Sequence, residues 1–262
     1  MINKKEINRI VVKVGTSTLT YDTGKINIRR MSSLARVLSD LKNSGKEVAL
    51  VTSGAIGVGV GKLGLAERPK DTPGRQAAAT VGQCELMFLY DKFFGEYGNI
   101  TGQLLVTKDD FENEERHTNL HNSFMKLFEY GAIPIVNEND SVAVEEIVFG
   151  DNDSLSAHVA KIVDADLLII LTDIDGLFSA NPREDENAVL IHNVDKITDD
   201  ILALAGGTGT NRGTGGMVTK LHAAQIATEA GINTVVMNGS DPEELYKLLD
   251  GRQTGTLFKA RR

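Results

Sequence analysis

Five short stretches of the chain are apolar at nearly every position: residues 10–14, 47–51, 132–136, 166–171 and 233–237. Each runs into small or polar residues. The exits are Gly15-Thr16-Ser17, Thr52-Ser53-Gly54, Asn137-Glu138-Asn139-Asp140, Thr172-Asp173 and Asn238-Gly239. Between them the apolar residues recur with a helical period. Residues 28–44 place Met31, Leu34, Val37, Leu38 and Leu41 on one face, and Gly45 follows as a cap. Residues 118–130 repeat the scheme with Leu120, Phe124, Leu127 and Phe128 before Gly131, and residues 154–163 and 216–230 add two more helices, the second ending at Gly231. Residues 75–90 carry Ala77, Ala78, Ala79, Val81, Leu86, Met87 and Leu89, more apolar surface than a solvated helix needs. Internal packing and a homodimer seam both explain that excess. Residues 144–149 read as a short hairpin arm.

Strands that are apolar throughout, alternating with amphipathic helices, predict an α/β protein with a mainly parallel sheet covered on both faces. In such sheets ligands bind beyond the carboxyl ends of the strands, so the polar exits should converge on one crevice. No linker, charge block or repeat interrupts the pattern, which predicts a single domain over residues 1–262.

Composition narrows the function classes. The 28 Lys plus Arg against 36 Asp plus Glu give a net charge of -8, which argues against nucleic acid or a membrane surface as the main partner. The longest uninterrupted apolar run is Leu167 to Leu171, far short of the roughly 18 residues of a membrane span. The first residues are charged, without the apolar core of a signal peptide, and Cys84 is the only cysteine. Both features predict a cytoplasmic protein. Cys84, beside Leu86 and Met87, is expected to be a buried structural thiol.

Several familiar chemistries fail on spacing. Gly61-Lys62 is followed by Leu63 and position 56 is Ile, so there is no Walker A loop; the first strand is not followed by GxGxxG. His117 and His121 stand four apart without the Glu of a zinc-protease helix, and are expected on a solvated face. No Cys/His cluster suggests structural zinc. Ser53 lies in Thr-Ser-Gly-Ala, which is not a nucleophile elbow.

Four places carry chemistry. Lys13 sits inside the first apolar strand, where an unpaired ammonium is costly. It either snorkels from a sheet edge or aims a cation at a phosphate near the Gly15 loop. A Gly-rich stretch, residues 206–220, opens a helix and ends at Lys220; it is a phosphate loop or a flexible surface loop. In Phe149-Gly150-Asp151-Asn152-Asp153, Asp153 or Ser154 serves as an N-cap, or the carboxylates hold a substrate ammonium or orient a lysine. In Thr172-Asp173-Ile174-Asp175-Gly176, Asp175 serves a turn or contacts a ribose or base.

The strings VKVGTS (12–17), VTSGAIGVG (51–59), NENDSV (137–142), FGDND (149–153), TDIDGLFSANP (172–182) and GTGGMVTK (213–220) together resemble the amino acid kinase family. They occur in order and cover nearly all of the chain. FGDND and GTGGMVTK point to the branch that phosphorylates the side-chain carboxylate of glutamate, opening proline synthesis. Acetylglutamate kinase, aspartokinase and uridylate kinase share the fold and the Gly loops but differ there. Many members of that branch carry a C-terminal PUA domain. This chain stops at Arg262 and resembles the short form.

The resemblance implies a three-layer α/β/α sandwich with glutamate bound mainly by the N-terminal part and nucleotide mainly by the C-terminal part. It implies Lys13, Asp153 and Lys220 as catalytic residues, and Ser53, Gly54, Asn137, Asp140, Asp151 and Asn152 as the glutamate site, with Asp140 facing the α-ammonium. It implies an ATP site of Lys13, Gly15, Thr172, Asp173, Thr214, Gly215, Gly216, Met217, Val218, Thr219 and Lys220. Mg²⁺ would be carried by the phosphates, without a dedicated protein cage. The family context also implies a homo-oligomer, proline as feedback inhibitor and hand-over of product to glutamyl phosphate reductase. The chemistry agrees. A carboxylate with a pKa near 4.3 is ionised at neutral pH and needs no general base, so the reaction calls for neutralisation and positioning instead. Three rivals stay open on the sequence: a relative using acetylglutamate or aspartate, a non-catalytic amino-acid sensor on the same fold, and a dinucleotide-dependent hydride-transfer enzyme.

Overall fold

The computed structural model describes residues 7–21, 25–142, 152–205 and 216–261. Along the first half of the chain run β1 (Arg9–Val14), α1 (Thr16–Leu19), α2 (Ile28–Asn43), β2 (Glu47–Val51), α3 (Ala55–Leu63), α4 (Thr72–Gly95), β3 (Ile100–Val106), α5 (Asp109–Glu112), α6 (Glu114–Glu129) and β4 (Ala132–Glu138). The second half adds α7 (Asn152–Ile162), β5 (Leu167–Thr172), β6 (Asn193–Val194), α8 (Asp199–Ala205), α9 (Met217–Glu229), β7 (Asn233–Asn238), α10 (Glu244–Leu249) and β8 (Thr256–Phe258). The expected hairpin arm at 144–149 lies outside the described residues, as do Asp151 and the loop 206–215 with Thr214 and Gly215.

The strands form one sheet in the order β3-β4-β2-β1-β5-β7-β8-β6. Neighbours are parallel except for the β7–β8 pair. β1 lies at the centre, with Lys13 opposite Val51 on β2 and Ile170 on β5. Residues of a strand point alternately to its two faces, and the core divides accordingly. Ile10, Val12 and Val14 pack with Met31, Leu34 and Leu38 of α2, Leu86, Tyr90 and Phe94 of α4, and Leu245 of α10. Val11 packs on the other face with Phe124 of α6, Leu155 and Val159 of α7, and Leu221 and Ala224 of α9. The result is the expected three-layer α/β/α sandwich. Gly45, Gly131 and Gly231, just past α2, α6 and α9, take the left-handed backbone that such helix ends favour.

Some expectations need correction. Cys84 is exposed, not buried, because the inward face of α4 is taken by Gln83, Leu86 and Tyr90 and the next position turns outward. His117 and His121 are half-buried rather than solvated. His121 Nδ1 lies 2.9 Å from the carbonyl of Ile162 at the end of α7, where helix carbonyls have no partner within the helix. The apolar excess of residues 75–90 is largely internal packing, since Ala78, Ala79 and Leu86 are buried, although Phe88 faces outward. The stretch after β2 contains a helix, α3, that its glycines conceal. A Cβ on Gly59 would sit 1.7 Å from the carbonyl oxygen of Ala78, and one on Gly82 would sit 1.8 Å from that of Ala55. The glycines let α3 and α4 touch backbone to backbone.

Candidate active site

The alternation of β1 puts Lys13 on the same face as Val11, towards the layer that holds α7 and α9. Being central in the sheet, Lys13 has no edge from which to snorkel, and it is 7% exposed. Its Nζ meets Oδ1 of Asp153, in the first turn of α7, at 2.5 Å. The other oxygen, Oδ2, accepts from Lys220 Nζ at 3.1 Å and from Thr219 Oγ1 at 2.8 Å, both from the first turn of α9. Asp153 is completely buried and Lys220 is 6% exposed. Burial alone would raise the pKa of this carboxylate. The charges of Lys13 and Lys220, with the hydrogen bonds from Lys13 and Thr219, more than offset it, and hold the pKa down to about 2. Two ammoniums share one carboxylate, so the cluster keeps one net positive charge. That surplus suits an anion.

Around this cluster the strand exits converge as expected. Gly15 is the N-cap of α1, and a Cβ there would lie 3.6 Å from Lys13 Nζ, so the loop backbone runs beside the ammonium. Gly216 caps α9 and its carbonyl accepts from Thr219 Oγ1 at 2.8 Å. Met217 is buried and Val218 half-exposed. Thr172, at the end of β5, donates to Asp173 Oδ1 at 3.2 Å, and Asp173 pairs with Arg183 at 3.3 Å. Asp175 does more than serve its own turn: its Oδ1 accepts from Asn238 Nδ2, at the end of β7, at 2.8 Å.

On the other side of Lys13, Ser53 follows β2. Its hydroxyl donates to the carbonyl of Val14 at 3.1 Å and touches Thr16 Oγ1 at 3.3 Å. Gly54 starts α3 with φ +96°, a left-handed conformation that favours glycine. Asn137 is buried at the end of β4. Its Oδ1 accepts from the backbone N–H of Glu138 at 2.9 Å and from Asn152 Nδ2 at 2.8 Å. Asn152 Nδ2 also donates to the carbonyl of Thr52. Asn137 Nδ2 donates to Gln83 Oε1 at 2.8 Å. The hydroxyls of Thr52 and Tyr90 lie 2.7 Å apart beneath this chain of amides. Asp140 is half-buried two residues past β4; burial raises its pKa, against the pull of Arg68.

Lys13, Asp153 and Lys220 therefore form one cluster, with Ser53, Gly54, Asn137 and Asn152 on the β2–β4 side and Thr172, Asp173 and Gly216 to Lys220 on the β5–α9 side. Asp151, Thr214 and Gly215 lie outside the described residues. Gln83, Tyr90 and Arg68 escaped the sequence reading, and Thr16 was legible only as part of a strand exit. Gln83 was detectable as a lone amide on the apolar face of a helix; the others carry no such signal. Among the described residues no three His, Cys, Asp or Glu side chains group as a cation site. Asp153 spends both oxygens on lysines.

A buried cation pair over the carboxyl ends of a parallel sheet, flanked by Gly-containing loops, is the layout of a phosphoryl-transfer site. The comparisons agree on the class. Residues 8–238 match the model of the amino acid kinase family, and the chain belongs to that family. It is 53% identical over 262 residues to the glutamate 5-kinase of Clostridium perfringens, covering 98% of this chain and 97% of the relative. It is 54% identical over 256 residues to the glutamate 5-kinase of Clostridium tetani, covering 98% and 96%. Among solved structures, the T. acidophilum isopentenyl phosphate kinase product complex shares the fold with a TM-score of 0.66 at 15% identity, covering 96% of this chain and 100% of that one.

Proposed function

We propose that the protein transfers the γ-phosphoryl group of ATP to the γ-carboxylate of L-glutamate, giving glutamyl 5-phosphate and ADP at the start of proline biosynthesis. The observation that carries this reading is the Lys13–Asp153–Lys220 cluster, in a chain more than half identical to glutamate 5-kinases. A carboxylate oxygen of glutamate attacks the γ-phosphorus, and the bond from that phosphorus to the β,γ-bridging oxygen breaks. The acceptor is already ionised, so no proton moves and no general base is needed. The barrier is the approach of two anions. Lys13 and Lys220 flank the transferring group, and charge building on the leaving diphosphate is met by an ammonium held in advance. Asp153 keeps the two lysines close.

In this reading Ser53, Gly54, Asn137, Asp140, Asp151 and Asn152 bind glutamate, with Asp140 facing its α-ammonium. Lys13, Gly15, Thr172, Asp173 and residues 214–220 bind ATP. Mg²⁺ accompanies the nucleotide and neutralises phosphate charge. The whole chain works as one kinase domain in the cytoplasm. An acyl phosphate hydrolyses readily, which favours hand-over to glutamyl phosphate reductase. A homo-oligomer and inhibition by proline belong to the same proposal. The test is an ATP- and Mg²⁺-dependent assay with hydroxylamine as trap. Glutamate should yield hydroxamate, with aspartate and N-acetylglutamate far poorer. A panel in which N-acetylglutamate is the better acceptor overturns the reading.

A further inference from the structure

Two backbone groups settle how every amide in the β2–β4 side of the site is turned. The N–H of Glu138 can only donate, so the atom of Asn137 facing it is Oδ1 and the other is Nδ2. Asn137 Nδ2 in turn must face an acceptor, so the atom of Gln83 at 2.8 Å is Oε1. The carbonyl of Thr52 can only accept, so Asn152 presents Nδ2 to it and to Asn137 Oδ1. Turning any one of these amides over would set donor against donor or acceptor against acceptor.

Counting what is left is informative. Asn137 Oδ1 has both lone pairs in use, and Asn152 Nδ2 has both hydrogens in use. Asn152 Oδ1 remains as an acceptor. Gln83 Nε2 remains as a donor with two hydrogens, fully buried and without a hydrogen-bond partner among the described residues. Gln83 itself is 8% exposed. A buried donor without a partner is costly. The amide is placed with care as well: Gly82 beside it is the residue that brings α4 against the start of α3. The chain runs from Asp153 through its neighbour Asn152 to Asn137 and then to Gln83. Gln83 thus ends the run of amides that starts beside Asp153, and on the glutamate reading the non-reacting part of the acceptor lies away from the lysines.

We propose that Gln83 is a specificity-determining residue of the acceptor site, with Nε2 donating to the non-reacting α-carboxylate of the acceptor amino acid. The inference rests on the glutamate reading above. The site then has an acceptor group, Asn152 Oδ1 with Asp140, for the α-ammonium, and a neutral donor for the α-carboxylate. A substrate that lacks the α-carboxylate gains nothing from Gln83.

The test compares wild type with Gln83→Met and Gln83→Glu. Met fills the same length without polar atoms; Glu still accepts from Asn137 but has no N–H to offer. The probes are glutamate as substrate and 4-aminobutanoate, which is glutamate without its α-carboxylate, as competitive inhibitor. Gln83→Met should raise the KM for glutamate roughly ten- to a hundredfold, with kcat within about threefold. Its Ki for 4-aminobutanoate should stay within about threefold of wild type. Gln83→Glu should show the same divergence between KM and Ki, so a Met variant that fails to fold does not protect the proposal. An unchanged glutamate KM, or an equal rise in KM and Ki, overturns it. A wild-type enzyme that does not turn over glutamate overturns the phosphoryl-transfer reading, and this inference with it.

Discussion

At the scale of single residues, the site is governed by one carboxylate that must stay ionised where water does not reach. Asp153 manages this only because both its oxygens meet ammoniums. Replacing it with Asn leaves Lys13 and Lys220 facing each other, buried and without a counter-charge. Breaking a buried pair in this way costs about 3–5 kcal/mol. Asp153→Asn should melt markedly earlier, and whatever folds should lose activity at least a hundredfold in the hydroxamate assay. The pH dependence has a definite sign. A folded pKa held down to about 2 means that Asp153 stabilises the fold fully above the ordinary carboxylate value, and that this is lost as pH falls towards 2. Acid titration followed by circular dichroism should show the wild type losing this contribution below about pH 4, whereas Asp153→Asn lacks that component. Asp140 runs the opposite way. Burial raises its pKa, so its folded form is least costly when protonated, and stability falls as pH rises through the shifted value. Binding an ammonium needs the ionised form. The glutamate KM should therefore climb as pH drops through a value above that of an ordinary carboxylate, and Asp140→Asn should raise it roughly ten- to a hundredfold and remove that climb. The KM for ATP should not follow. Lys220→Ala should depress kcat by about a hundredfold or more with a smaller effect on nucleotide binding, measured by steady-state kinetics and direct titration. Lys220→Arg should not restore the rate, because a planar fork does not replace a point charge seated between Asp153 and the Gly216 carbonyl.

Elements explain what the sequence showed and what it hid. The five strands buried on both faces and the helices beside them were legible, because a central parallel strand must be apolar at every position and a covering helix must repeat every three to four residues. β3 was not. It is one of the two edge strands, only half-buried, and Gly102 breaks its apolar run where a side chain would press on Leu127 of α6. α3 was hidden for the same reason: Gly57, Gly59 and Gly61 look like a loop, and the purpose of Gly59 appears only once α4 lies against it. The site divides similarly. Lys13 was conspicuous as a charge in an apolar strand, whereas Gln83 showed only as a lone amide on an apolar helix face, the amides it is linked to lying 54 and 69 positions away in the sequence. The helix contact yields its own expectation. Gly82→Ala forces a methyl into the backbone of α3, and overpacking of this kind costs typically about 1–3 kcal/mol and more where backbone cannot yield. Thermal melting should drop accordingly. The glutamate KM should rise more than the KM for ATP, since the displaced helix carries Gln83 and abuts the segment after Ser53.

Over the whole molecule, the sheet falls into two runs. β3, β4, β2 and β1 come from the chain before α7, and β5, β7, β8 and β6 from the chain after it. α7 lies across the junction, packing on β1, β2, β4, β5 and α9. Its first two described residues belong to different halves of the chemistry. Asn152 joins the amides of the β2–β4 side, and Asp153 ties the lysines of β1 and α9. Consecutive residues on a helix are fixed about 1.5 Å apart along its axis, and neither can shift without the other. On the proposed function α7 is a two-ended gauge: whatever seats the amino acid against Asn152 also sets the gap across which the phosphoryl group must pass. Loosening the underside of that helix, far from either ligand, should blunt recognition and turnover in step, in the manner of a ruler bent at its midpoint that misreads at both ends.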